Sequence, residues 1–114
     1  MTESVKNELV SICRIINDTV NTEKIYLFGS YAYGTPNRDS DYDLCVILPE
    51  NSMRPTEAIK AIRRALFSVQ TVPLDVIAYH SDAFCQRTQR ASLEQKIARE
   101  GVLLYEHKLE QRMA

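Results

Sequence analysis

A chain of 114 residues, 45% hydrophobic and 25% charged, has ordinary globular composition and is expected to form one domain over residues 1–114, burying roughly two-thirds of its unfolded surface without staples. Lys plus Arg 14 against Asp plus Glu 15 gives a net charge of −1, which excludes the broad positive field of nonspecific nucleic-acid or anionic-membrane binders, so no direct nucleic-acid binding is expected. No apolar run approaches the roughly 20 residues of a membrane span, and Met1-Thr2-Glu3-Ser4 lacks the basic start and apolar core of a signal peptide, so a cytoplasmic protein without membrane contact is expected.

Val5, Leu9, Ile12, Ile16 and Val20 fall on one helical stripe and predict a helix over about 3–20. Lys24-Ile25-Tyr26-Leu27-Phe28 is short, β-branched and aromatic, and Gly29 ends it, as in a buried strand. A loop with the turn residues Gly34, Pro36, Asn37 and Asp39 runs to Ser40, with room for one helical turn at Ser30-Tyr31-Ala32-Tyr33. Asp41–Leu48 reads as a second strand whose faces are Asp41, Asp43, Cys45, Ile47 and Tyr42, Leu44, Val46, Leu48. Pro55, suited to a first helical turn, opens a second long helix over about 55–70 carrying Ile59, Ile62, Leu66 and Val69. Pro73–Tyr79 is a third strand, buried and apolar except for Asp75. Ser81-Asp82 can cap a short helix, and Ser92-x-x-Gln95 is a capping box for another that carries Leu93 and Ile97 and stops at Gly101. Val102–Tyr105 can add an edge strand, and the polar tail over about 107–114 is unassigned. The order predicts an α/β (α+β) fold, a small mixed β-sheet flanked by helices. Cys13, Cys45 and Cys85 have no paired spacing and read as small core hydrophobes, not as disulfide or zinc ligands.

Chemistry concentrates at one place. Gly29-Ser30 ends a strand where a helical turn can begin, so backbone N–H groups and a hydroxyl are available to a phosphate. Asp41-x-Asp43 then puts two carboxylates on one face of a strand, and Asp75 can add a third from another. Like charges held this close repel and resist desolvation, and a divalent cation removes that cost. Carboxylates, phosphates and waters are the ligands magnesium prefers, and two such ions about 4 Å apart can clamp an in-line displacement.

The run Gly29-Ser30-Tyr31-Ala32-Tyr33-Gly34, then Thr35 to Asp39, then Ser40-Asp41-Tyr42-Asp43-Leu44 resembles the minimal nucleotidyltransferases of the DNA polymerase β-like superfamily. Their pattern is Gly-Ser-x-Ala-Arg-Gly, five variable residues and Ser-Asp-x-Asp-Leu. Leu74-Asp75-Val76 is similar to the family's third acidic site, and Glu100-Gly101-Val102-Leu103-Leu104-Tyr105 to its usual ending. Tyr33 departs from the pattern, standing where it usually has Arg, which opens the question of what makes any phosphate contact or loop anchor of that arginine.

The resemblance implies a polymerase β-like nucleotidyltransferase fold and transfer of AMP from ATP to an acceptor, with pyrophosphate leaving. It makes Gly29 and Ser30 the nucleotide-binding residues, and Asp41, Asp43 and Asp75 the catalytic and metal-binding ones. The cofactor implied is Mg2+, two ions, with Mn2+ as a substitute. Minimal members act as antitoxins of HEPN-domain RNase toxins by attaching AMP to a toxin tyrosine; a binding-only antitoxin that masks its toxin is the alternative. Self-association, nucleotide choice and the number of AMP groups stay open at this point.

Other residues have plainer readings. Asp75 paired with Arg63 or Arg64 at a strand edge would look the same in sequence as a metal ligand. Arg38 and Lys24 read as solvated charges, His80 as a cap or surface residue, and Tyr31, Tyr33 and Tyr42 as aromatic packing.

Overall fold

The computed structural model describes residues 1–69 and 71–107. Its elements are α1 (Glu3–Thr19), β1 (Lys24–Phe28), α2 (Ser30–Tyr33), β2 (Tyr42–Leu48), α3 (Pro55–Leu66), β3 (Leu74–His80), α4 (Ser81–Arg87), α5 (Leu93–Glu100) and β4 (Val102–Glu106). The strands form one mixed sheet in the order β3-β2-β1-β4. β1 is antiparallel to both β2 and β4, and β2 runs parallel to β3, with α3 as the crossover between them. This is the mixed sheet with flanking helices that the sequence predicts.

The alternation along β2 divides the interior as expected. Tyr42, Leu44, Val46 and Leu48 point to one side, where α1 supplies Leu9, Ile12 and Ile16 and α3 supplies Ala58, Ile62 and Leu66. Cys45 and Ile47 point to the other, where Phe84 of α4 and Ile97 of α5 close over Tyr26. The sheet therefore has helices on both faces. Thr2 starts α1 by accepting the Val5 N–H at 3.2 Å, and Pro55 sits in the first turn of α3 as expected. That helix ends at Leu66, short of the expected 70; residue 70 and the polar tail over 108–114 lie outside the described residues.

Four local expectations are corrected. The α4 start is not capped by Ser81 or Asp82. His80 holds the N-cap position with no side-chain capping bond, its ring Nε2 lying 3.0 Å from the Met53 carbonyl instead, and Glu50 reaches across from the β2–α3 loop to accept the Asp82 N–H at 2.8 Å and the Ser81 hydroxyl at 3.1 Å. Those bonds, the backbone one foremost, hold the Glu50 carboxyl below its ordinary range. At α5, Ser92 accepts the Gln95 N–H at 3.1 Å, but the Gln95 side chain donates to the Thr88 carbonyl at 3.1 Å instead of closing a box. β3 is an edge strand rather than a buried one, and Asp75 on it is exposed. Cys85 is exposed while Cys13 and Cys45 are buried, because its neighbour Phe84 takes the inward position on α4.

Gly101 is required for a packing reason. A Cβ there would come 2.6 Å from the Ile97 carbonyl oxygen and 3.0 Å from that of Leu27, so α5 can turn into β4 directly against β1 only at glycine.

Burial pushes the Cys13 thiol up to about 11, and burial with the nearby Glu94 charge pushes Cys45 up to about 12. A thiol reagent at neutral pH should therefore modify one equivalent per chain quickly, at Cys85, and all three only after denaturation. Peptide mapping after a short pulse checks this, and rapid labelling of Cys45 would contradict the packing described.

Candidate active site

The site is assembled at one end of the three strands β3, β2 and β1. Antiparallel register places Phe28 opposite Asp43, so the chain leaving β1 must pass the Asp43 side chain. Gly29 does so with φ 76° and ψ −162°, a conformation open essentially to glycine alone. A Cβ there would stand 2.0 Å from Asp43 Oδ2. The Gly29 main chain thus lies against the carboxylate.

The chain then makes one helical turn, with the Ala32 and Tyr33 N–H groups both donating to the Gly29 carbonyl at 3.0 Å. Gly34, left-handed at φ 82°, ends it. Tyr31 and Ala32 pack toward α1 and α3, with the Tyr31 ring 4.7 Å from that of Tyr42. Tyr42 in turn donates to Glu8 Oε1 at 2.6 Å. Ser30 and Tyr33, a turn apart and so on one side, face the other way. There the Lys96 ammonium from α5 sits 4.7 Å from the centre of the Tyr33 ring. The Tyr33 hydroxyl is buried and has no hydrogen-bond partner among the described residues.

The loop into β2 is closed by its own side chains: Asn37 Oδ1 accepts the Asp39 N–H at 2.8 Å, and Ser40 Oγ accepts the Asn37 N–H at 2.8 Å. It delivers Asp41 exposed and one residue ahead of β2, where the sequence reading had Asp41 as the first strand residue. Asp43 is half-buried. The parallel register of β2 and β3 sets Asp75 directly beside Asp43, strands being about 4.8 Å apart. Burial, and then the charges of Asp75 and Asp41, push the Asp43 carboxyl above its ordinary value.

Asp75 makes the arginine pairing of its plainer reading and also stands beside Asp43. It faces Asp43 across the register, and its exposed carboxylate pairs with Arg63 at 3.2 Å. Among the described residues no three acidic, histidine or cysteine side chains converge to enclose an ion on their own. The donor set nevertheless fits a hard divalent cation: Asp41 and Asp43 offer carboxylate oxygens whose mutual repulsion a cation relieves, leaving the remaining positions for phosphates and waters. Lys96 beside Tyr33 escaped the sequence reading, since a contact between α2 and α5 leaves no periodic trace. A cavity of about 580 Å3, lined by Leu9, Val10, Cys13, Val102, Leu104 and Tyr105, lies between α1 and β4, away from the acids.

Residues 8–104 match the nucleotidyltransferase domain family, a span that includes Gly29, Ser30 and all three acids, and the chain belongs to that family. The fold is that of solved toxin–antitoxin structures. An MntA–HpeT toxin–antitoxin complex is similar at 22% identity with a TM-score of 0.61, covering 95% of this chain and 78% of the other. A toxin–antitoxin with AMP-PNP is similar at 24% identity, TM-score 0.55, over 95% and 78% of the two chains. The complex of a tri-AMPylated HEPN toxin with its MNT antitoxin from Shewanella oneidensis is similar at 20% identity, TM-score 0.50, over 99% and 79%. No curated protein sequence matches. No helix among the described residues is long and apolar enough to cross a membrane.

Two stability measurements test this geometry. Gly29→Ala should cost roughly 2–5 kcal/mol from backbone strain and overlap with Asp43. In an Asp43→Ala background the overlap is relieved, so the cost should shrink to the backbone share; strict additivity in a double-mutant cycle would contradict the contact. For Asp43→Asn the sign follows from a raised folded-state pKa. The parent's contribution from this group is present below the ordinary carboxylate value and is lost as pH rises through the raised one. In metal-free buffer the Asn variant should therefore gain on the parent as pH rises from about 4 and keep that gain at neutrality. Denaturant unfolding across that range measures it, and a variant that loses stability at neutral pH would mark Asp43 as structural.

Proposed function

We propose that this chain is a metal-dependent protein adenylyltransferase and an antitoxin, moving AMP from ATP to a tyrosine of a cognate HEPN-domain RNase toxin in the cytoplasm. The observation that carries the reading is the Gly29-Ser30 turn seated against Asp43, with Asp75 beside it in register, in a chain of the nucleotidyltransferase domain family. The antitoxin assignment draws support from the similar MNT antitoxin in complex with a tri-AMPylated HEPN toxin. The nucleotide assignment draws support from the similar toxin–antitoxin with AMP-PNP.

In this reading the Ser30 hydroxyl and the neighbouring backbone N–H groups hold the outer phosphates, and Asp41 and Asp43 hold magnesium or manganese, with Asp75 joining them. When bound, the metal neutralises the phosphates and polarises the α-phosphate. Asp75, released from Arg63, orients the acceptor tyrosine and takes its proton. The tyrosine oxygen bonds to the α-phosphorus as the bond to the β-phosphate oxygen breaks, so that a phosphodiester forms and pyrophosphate leaves. The nucleotidyltransferase domain provides the nucleotide side of the cleft. The toxin provides the acceptor side, holding its tyrosine in line. Each added AMP brings negative charge and bulk beside the RNase site, where it competes with the RNA backbone.

The Arg63–Asp75 pair at 3.2 Å favours a second reading, in which the site is idle and the chain neutralises the toxin by masking alone. Intact mass of the toxin after incubation with the chain, ATP and magnesium separates the two. The enzyme reading predicts addition of AMP, abolished by EDTA and slowed roughly a thousandfold or more by Asp43→Asn, with loss of protection in cells. An unchanged toxin mass, together with full protection by Asp43→Asn at equal expression, would establish masking.

A further inference from the structure

The sheet order fixes a direction across the site. Asp75 on β3, Asp43 on β2 and the Gly29-Ser30 turn after β1 stand in a row. On the face that carries Asp43, α5 crosses above Tyr26 and Cys45 and leads into β4 beside β1. Lys96 of α5 therefore lies at the Ser30 end of the row, opposite to Asp75. Its ammonium rests on the face of Tyr33, one turn on from Ser30.

The other cation seen on this face, Arg87, rests on the Tyr79 ring, four residues along β3 from Asp75 and away from the row. Asp41, Asp43 and Asp75 repel an approaching polyphosphate, and Arg63, at the far end, is engaged by Asp75. Lys96 is exposed and has no carboxylate within ion-pair distance among the described residues. An aromatic face is a weaker partner for an ammonium than a phosphate oxygen is, and it keeps the charge placed without neutralising it. Tyr33 thus acts as a platform that leaves Lys96 available.

Resting on the nucleotidyltransferase reading of the same site, we propose that Lys96, held on the Tyr33 ring, is the cation that receives the outer phosphates of the nucleoside triphosphate. This assigns the leaving pyrophosphate to the Ser30–Lys96 end and the acceptor hydroxyl to the Asp75 end. Lys96 selects for a ligand with β- and γ-phosphates and makes no contribution to holding a monophosphate.

Calorimetry of the full chain with magnesium and AMP-PNP, ADP or AMP tests it. Lys96→Ala should weaken AMP-PNP by about tenfold or more, ADP by less, and leave AMP within about twofold; Lys96→Arg should restore AMP-PNP. Unfolding curves of the variants should overlay the parent, since the residue is exposed. If the parent binds AMP-PNP and Lys96→Ala binds it equally, or if AMP and AMP-PNP weaken together, the assignment of Lys96 is overturned while the nucleotide site stands. If the parent binds no nucleotide with magnesium, the functional reading falls and the assignment with it.

Discussion

The Gly29 main chain lies against the Asp43 carboxylate, and the rest of the site is arranged around that contact. It is possible only because position 29 has no side chain and adopts a conformation reserved for glycine. The consequence is that the Gly29-Ser30 turn and the Asp43 carboxylate are held directly against one another. β1 and β2 hold the two halves through their antiparallel register, and Ser30 directly follows the glycine that touches the carboxylate. Catalysis of phosphoryl transfer depends largely on positioning and preset charge, and in the proposed function this contact would supply both.

Electrostatic frustration is the second feature. Asp43 is half-buried with Asp75 at its side and Asp41 two residues before it, and its carboxyl is pushed up by burial first and by those charges second. Arg63 relieves Asp75 alone, at a partly exposed strand edge where such a pair contributes little to stability. Asp43 has no comparable ion-pair partner among the described residues. A second acid, Glu94, shows the contrast. It is more deeply buried than Asp43, yet its hydrogen bond from Tyr79 holds its carboxyl below the ordinary range. Glu94 is satisfied by the fold, whereas the burial and neighbouring charges at Asp43 act against its ionised form, the kind of perturbation that clusters at functional sites.

Much of this was legible in the sequence where the signal is local or periodic. The two faces of β2 follow from strict alternation, and Cys45 and Tyr42 lie where it puts them. The glycine and acid spacing singles out Gly29, Asp43 and Asp75, which the fold brings side by side. Other features depend on long-range partners and leave no such trace. The Glu50 cap of α4 spans 32 positions to Asp82, so a local Ser-Asp pair looked sufficient. β3 reads as an apolar run whether central or at an edge, and so Asp75 looked buried. Cys85 and Phe84 are adjacent, and composition cannot say which of them turns inward. The Lys96–Tyr33 contact depends on α5 folding back over α2, a tertiary fact.

The central claim is that Asp43 is held in an uncompensated state that a metal–nucleotide complex resolves. Its carboxyl titration, followed by carbon-detected NMR in metal-free buffer and again with magnesium and AMP-PNP, tests that most directly. The account predicts a titration above the ordinary carboxylate range without metal and a fall below that range with the complex bound. An ordinary, unshifted titration that magnesium and nucleotide leave unchanged would contradict it.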